Sequence, residues 1–92
     1  MAADLKLVPL GELNEAALVL HRPRLILCPL VTARFDCMDV AGVLAELGHR
    51  GPLRAVTRKL PNPDVVRREV RGHFAEIDFD LIIATDEGMP PV

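Results

Sequence analysis

Short apolar runs alternate with helical hydrophobic patterns along this chain, and this alternation limits the folds that it can adopt more than any other feature. The runs at residues 5–8, 24–30, 53–58 and 79–84 predict strands, because they are short and rich in apolar residues. Strands that alternate with helices form parallel sheets joined by right-handed crossovers. We therefore predict an α/β fold with a four-stranded parallel sheet in the order β-α-β-α-β-α-β.

Three helices are predicted between these strands. The first extends from Glu12 to His21 and is amphipathic. We expect Asp36 to cap the start of the second helix through its side chain and Gly48 to end that helix in a left-handed conformation. The third helix begins at Asn62, which is followed by a proline suited to the first helical position. The predicted buried stripe of the first helix consists of Leu13, Ala16, Ala17 and Leu20.

The size and composition of the chain favour one globular domain. Its 92 residues fit a single domain, which we predict to span residues 1–92 with a loose tail at 85–92. No apolar run reaches the roughly 18 residues of a membrane span, and the first residues carry no basic region ahead of an apolar core. We therefore expect a cytoplasmic protein that makes no membrane contact.

The two cysteines, Cys28 and Cys37, lack CxxC spacing and have no histidine at metal-ligand spacing beside them. The simpler interpretation is that both are buried as small hydrophobic side chains, and we expect no metal and no cofactor. The alternative is a small thiol-dependent redox protein or enzyme. It remains open because Cys28 lies near the carboxyl end of a predicted strand and Cys37 lies at a helix start.

The predicted topology leaves one face of the sheet without helices. If the strands lie in sequence order, right-handed crossovers place all three helices on the same face. The second and fourth predicted strands are apolar on both faces, and a bare apolar face of that size is unusual for a monomer. We therefore predict a homodimer, formed by sheet packing or strand exchange, with another protein partner as the alternative. The predicted dimer face consists of Leu25, Leu27, Leu81, Ile82 and Ile83.

The stretch from Leu13 to Ile82 resembles the receiver domain of bacterial response regulators, entered at that family's second helix. In the family, a helix and an apolar strand lead to the phosphoacceptor aspartate, and a loop then leads to the next helix. The matching run is AALVLHRPRLILCPLVTARFDCMDVAGVL, in which Pro29 stands at the phosphoacceptor position and Asp36 at the loop aspartate. Thr57 matches the family's switch Thr or Ser.

The resemblance implies a partial flavodoxin-like fold that cannot accept a phosphoryl group. Phosphotransfer needs a carboxylate nucleophile and a divalent cation, and Pro29 can be neither nucleophile nor ligand. The family's signature lysine is replaced, since Ile83, Ala84 and Thr85 stand there, and its magnesium-binding acidic pair has no counterpart. We therefore expect a non-catalytic pseudo-receiver that acts in bacterial signalling as a protein-protein interaction or regulatory module.

Charge is unevenly distributed along the second half of the chain. Basic residues outnumber acidic ones between residues 50 and 71, whereas Asp and Glu alone carry formal charge from residue 72 onward. The basic segment is a candidate contact for another protein or, as an alternative, for nucleic-acid phosphates. The net charge of −2 and the scarcity of aromatic side chains argue against nucleic acid. The candidate contact residues are Arg54, Arg58, Arg67, Arg68 and Arg71.

Overall fold

The computed structural model describes residues 6–84, which form an α/β fold with one parallel sheet of strand order β1-β2-β3. The predicted tail, residues 85–92, lies outside the described residues. The strands are β1 (Ile26–Pro29), β2 (Pro52–Thr57) and β3 (Asp78–Ile83). The helices are α1 (Glu15–His21), α2 (Cys37–Glu46) and α3 (Pro63–His73), and a short 3-10 helix spans Leu10–Glu12. The predicted alternation and the parallel sheet are confirmed, but the described sheet has three strands and not four.

The predicted first strand is wrong for the residues that the structure describes. Residues 6–8 belong to no strand, and Leu7 is 88% exposed, while Leu5 lies outside the described residues. The chain turns directly after residue 8, where the Glu12 N–H donates a hydrogen bond to the Pro9 carbonyl at 2.9 Å. A strand needs a neighbour that satisfies its backbone groups, and no described strand pairs with this run.

Alternate side chains of the three strands form one layer of the core, because successive residues of a strand point to opposite faces. The largest fully buried side chains are Phe79, Leu44, Leu53 and Val70. Leu44 lies in α2 and Val70 in α3, so both helices pack on the same face of the sheet. Two rows of side chains face these helices. One row is Ile26, Leu53 and Phe79, and the other row is Cys28, Ala55 and Leu81.

Local signals fixed the ends of α2. The Asp36 side chain accepts a hydrogen bond from the Asp39 N–H at 3.1 Å, and the Asp39 side chain accepts one from the Asp36 N–H at 3.0 Å. This reciprocal capping box satisfies two backbone donors at the helix start. Gly48 follows the helix with φ of 73°, as predicted for a left-handed stop. Asn62 precedes α3 as predicted, but its side chain accepts no capping hydrogen bond.

Helix α1 is shorter than predicted and buries a different face. Leu13 and Leu18 pack against the buried cluster, whereas Ala16 and Leu20, which the pattern predicts as buried, are exposed. Residues 16–20 are apolar without interruption, so hydrophobic periodicity alone does not select which side of this helix meets the core.

The difference between the two predicted caps is testable. We expect Asp36→Ala to lower the free energy of unfolding by about 1 kcal/mol, because it removes a side-chain cap. Asn62→Ala should change it by less than about 0.5 kcal/mol, since no capping bond is lost. Urea unfolding followed by circular dichroism measures both values. Equal losses for the two variants would contradict the assignment of the capping box.

Candidate functional site

The face of the sheet that points away from α2 and α3 exposes apolar side chains beside charged ones. Leu27, Val56 and Ile82 lie on it and are 47%, 36% and 42% exposed. Pro29 completes the row that contains Val56 and Ile82. We call these four residues the open sheet face. It is the surface that remains when crossover helices pack on one side of a parallel sheet only.

Two residues of the predicted dimer face lie on the other side of the sheet. Leu81 is buried, and Ile83 packs against the same buried cluster. Because successive residues of a strand alternate between faces, three consecutive residues of β3 cannot all lie on one face. Leu25, Leu27 and Ile82 are exposed. Ile82 is therefore the contribution of β3 to the open sheet face.

Val56 lies at the middle of the open sheet face but was not among the predicted dimer-face residues. The sequence signal for Val56 is the alternation within β2. Leu53 and Ala55 are buried, and Arg54 and Val56 alternate with them. Arginines on either side of Val56 make this face of the strand look polar in the sequence. The register places Val56 between Pro29 and Ile82, so the row at the carboxyl ends of the strands is apolar.

Charged side chains lie on the same face of the sheet, because the register places Arg54 of the central strand between Leu27 and Asp80. The Arg54 Nη1 atom lies 3.4 Å from Asp78 Oδ1 and donates to the Asp78 carbonyl at 2.7 Å. Asp80 accepts a hydrogen bond from Arg67 Nε at 2.7 Å and lies 3.6 Å from Arg71 Nη2. Protein-protein interfaces combine apolar and polar side chains in this way.

The same side chains close the free edge of β3. The Ala84 N–H donates to β2, so the backbone groups of odd-numbered residues in β3 point away from β2. Of these, the Phe79 carbonyl accepts hydrogen bonds from Arg71 at 2.8 and 3.2 Å. The Leu81 N–H donates to the Asp80 carboxylate at 2.7 Å. Another strand would have to displace these bonds to pair here, which is how proteins protect sheet edges.

The free edge of β1 has a different character. The Leu30 N–H donates to β2, so the backbone of Leu27 and Pro29 points outward, and no described strand pairs there. Leu25 and Val31, which flank the strand, are exposed. Apolar surface therefore continues from the open sheet face around the β1 edge, whereas charged groups bound it at β3.

The predicted contact arginines are mostly engaged within the chain. Three of them form the ion pairs with Asp78 and Asp80. Arg68 Nε donates to the Asp64 carbonyl at 3.3 Å, and Arg58 is exposed directly after β2. Internal acidic partners thus compensate much of this charge, which weakens the proposal of a contact for phosphates or an acidic partner.

The predicted phosphoacceptor and switch positions lie at the carboxyl ends of neighbouring strands. Pro29 is the last residue of β1 and Thr57 is the last residue of β2. The carboxylate of Asp36, which matches the family's loop aspartate, is engaged in the capping box of α2. Within residues 6–84, no three His, Cys, Asp or Glu side chains come together as a possible metal site. Pro29 itself offers no group that a phosphoryl donor can modify.

Both cysteine thiols are free and buried. Burial, with a smaller contribution from Cys37, raises the pKa of the Cys28 thiol to about 12. Burial, and then the charge of Asp36, also raises the pKa of Cys37 above its ordinary value. The thiolate is the reactive form of cysteine, so raised pKa values make both thiols poor nucleophiles at neutral pH. This geometry weakens the alternative of a thiol-dependent enzyme.

Comparisons with protein-family models, with curated proteins and with solved structures find no match. The resemblance to receiver domains therefore stays a prediction. Among the helices of residues 6–84, none has the length and apolar character required to cross a bilayer. The geometry of the open sheet face is the strongest functional indication that the described residues offer.

Alkylation tests the cysteine assignment. With a pKa of about 12 instead of 9.0, Cys28 carries far less thiolate at neutral pH than a free cysteine does. We expect iodoacetamide to modify the folded protein roughly 100-fold more slowly than a cysteine-containing peptide, because burial also restricts access. Unfolding in urea should restore the rate of the peptide. A folded-state rate equal to that of the peptide would restore the thiol-enzyme alternative.

The Asp80 ion pair predicts a pH dependence. The hydrogen bond from Arg67 holds the pKa of Asp80 below its ordinary value of 3.8. The pKa of Asp80 is therefore lower in the folded state than in the unfolded state. The stabilisation that the Asp80 ion pair gives is present above about pH 4 and is lost as the pH falls through the folded-state pKa. Arg67→Gln should raise the pKa of Asp80, as measured by NMR titration of its carboxyl carbon.

Arg68→Gln is the matched control for this titration, since the Arg68 guanidinium donates to the Asp64 carbonyl and not to Asp80. It should leave the titration of Asp80 at its wild-type position. If Arg67→Gln also leaves the pKa of Asp80 unchanged, the ion pair does not hold the edge of β3 in solution.

Proposed function

We propose that this chain is a non-catalytic protein-protein interaction or regulatory module that works as a homodimer through its open sheet face. One observation carries the proposal: α2 and α3 cover one face of the sheet, and Leu27, Val56 and Ile82 are exposed on the other. Parallel sheets are usually covered on both faces. A second copy offers the same apolar surface, and a two-fold axis lets each copy cover the other.

Burial of apolar area drives this association. Fully burying a Val, Leu or Ile side chain is worth about 1.5–3 kcal/mol. The side chains of the open sheet face are partly exposed, so each contributes less than this range. The ion pairs on this face are partly exposed to solvent, so they add little to the affinity. Apolar contact therefore supplies the affinity, and the charged side chains of Arg54 and Asp80 on this face favour one orientation of the partner.

A receiver-like regulatory role is compatible with this surface. A parallel α/β sheet agrees with a partial flavodoxin-like fold. Pro29 stands where the resemblance expects a phosphoacceptor, which supports regulation by association in place of phosphorylation. We infer a pseudo-receiver whose output is the contact that it makes, in bacterial signalling as the resemblance implies.

Sedimentation equilibrium tests the homodimer. We expect the wild-type chain to show a monomer-dimer equilibrium in the range of about 10 to 100 μM. Ile82→Asp should raise the dissociation constant by about 100-fold, because a two-fold dimer receives the buried charge twice. Val56→Thr adds a hydroxyl but keeps the β-branch and a high strand propensity at an exposed position, so it should weaken the dimer with little effect on the fold.

Val65→Asp is the control for the added charge, because Val65 is an exposed apolar residue of α3 and lies off the open sheet face. It should leave the dissociation constant at the wild-type value. A wild-type chain that remains monomeric throughout this range, or equal effects of Ile82→Asp and Val65→Asp, would rule out the open sheet face as a dimer contact.

A further inference from the structure

Helix α1 exposes a second apolar surface. Ala16, Val19 and Leu20 are exposed, with Val19 at 62% and Leu20 at 76%, and no residue of α1 is fully buried. Residues three and four positions apart lie on one side of a helix, so these three form a continuous stripe. We call it the outer stripe of α1. Leu18 lies on the opposite side of the helix and packs against the core.

The composition of α1 is that of a helix with contacts on two sides. Its residues 16–20 are all apolar, and a helix that is hydrophobic all round is normally buried all round. Within residues 6–84 only the side that carries Leu18 meets the buried cluster. The outer stripe points away from that cluster and therefore cannot reach the sheet of its own chain in this arrangement.

The area of the open sheet face shows that it needs a second surface. Three strands spaced about 4.8 Å apart, with up to six residues each, give a flat footprint of about 300 Å². Stable interfaces bury about 800 Å² on each partner. Two open sheet faces packed on each other fall short of that area. If each copy buries both its open sheet face and its outer stripe, the buried area per copy is closer to this value. Two different apolar surfaces are then covered on every chain.

We propose that the outer stripe of α1 in one copy packs on the open sheet face of a second copy, and that a two-fold axis repeats this contact. The inference rests on the proposed homodimer and specifies its geometry. Each sheet then has helices on both faces, α2 and α3 from its own chain and α1 from the partner. The dimer then has the three-layer arrangement that parallel sheets usually have, with helices on both faces of each sheet.

The borders of the open sheet face determine the side on which α1 of the second copy approaches. Arg67, Arg71 and Asp80 occupy the edge of β3 with ion pairs and hydrogen bonds. At the opposite edge, Leu25 and Val31 extend the apolar surface beyond β1. The helix of the second copy therefore lies toward β1 and over the apolar row of Pro29, Val56 and Ile82, away from the ion pairs of Arg54 and Asp80.

Two charge variants of the full chain, alone and mixed, test this geometry. Leu20→Lys adds a cation to the outer stripe, and Ile82→Asp adds an anion to the open sheet face. Each variant alone should raise the dimer dissociation constant by about 100-fold, since each contact occurs twice. In an equimolar mixture, a heterodimer has one native contact and one contact that joins the introduced lysine to the introduced aspartate. Native mass spectrometry should detect this heterodimer at about tenfold or greater excess over either homodimer.

Two further variants control for effects on the helix. His21→Lys adds one positive charge to the exposed last residue of α1, on the side of Leu18 and away from the outer stripe, and should leave the wild-type dimer intact. Leu20→Gln keeps helix propensity without adding charge, so it should fold and still weaken the dimer. Loss of the dimer in Leu20→Gln with an unchanged circular dichroism spectrum excludes unfolding as its cause.

The outcomes separate this inference from the proposed function. If Ile82→Asp breaks the dimer but Leu20→Lys and Leu20→Gln do not, the outer stripe is no part of the interface, and this inference is overturned while the homodimer stands. If neither position affects the dimer, or the wild-type chain is a monomer throughout, both proposals are overturned. Preferred formation of the mixed heterodimer supports both.

Discussion

Side-chain alternation in three parallel strands, with two helices packed on one side, is the constraint on which the rest of this structure depends. The inward rows bury Leu53 and Phe79 against α2 and α3 and form the core. The same alternation sends Leu27, Val56 and Ile82 to the opposite face. Right-handed crossovers between neighbouring strands do not place a helix there. The core and the exposed apolar face therefore have one geometric origin.

Charged residues then limit where this surface can be extended. Arg67 and Arg71 reach from α3 around β3, where they hold Asp80 and the backbone edge of the strand. In the sequence, these arginines form a basic segment that is typical of a ligand or partner contact. Their partners in β3 lie many residues away along the chain, so local charge patterning does not reveal that the arginines stabilise and close an edge.

Sequence patterns predicted those features that depend on neighbouring residues. The order of strands and helices, the cap at Asp36 and the stop at Gly48 are of this kind. A bare sheet face was also predicted. Which residues lie on that face depends on the strand register, and the register places Leu81 and Ile83 on the covered side. Residues 6–8 have strand-like composition and lack a pairing strand in the described structure. Residues 16–20 of α1 are all apolar, so only tertiary contacts select the buried face of this helix.

The exposure of individual methyl groups tests the central claim, that a second copy covers the open sheet face. It is measured by the relaxation that a soluble paramagnetic agent causes in methyl NMR signals, at protein concentrations below and above dimer formation. The methyl groups of Val56 and Ile82 should lose accessibility as concentration rises, while those of Val65 on α3 keep theirs. If the methyl groups of Val56, Ile82 and Val65 stay equally accessible at every concentration, no second copy covers this face.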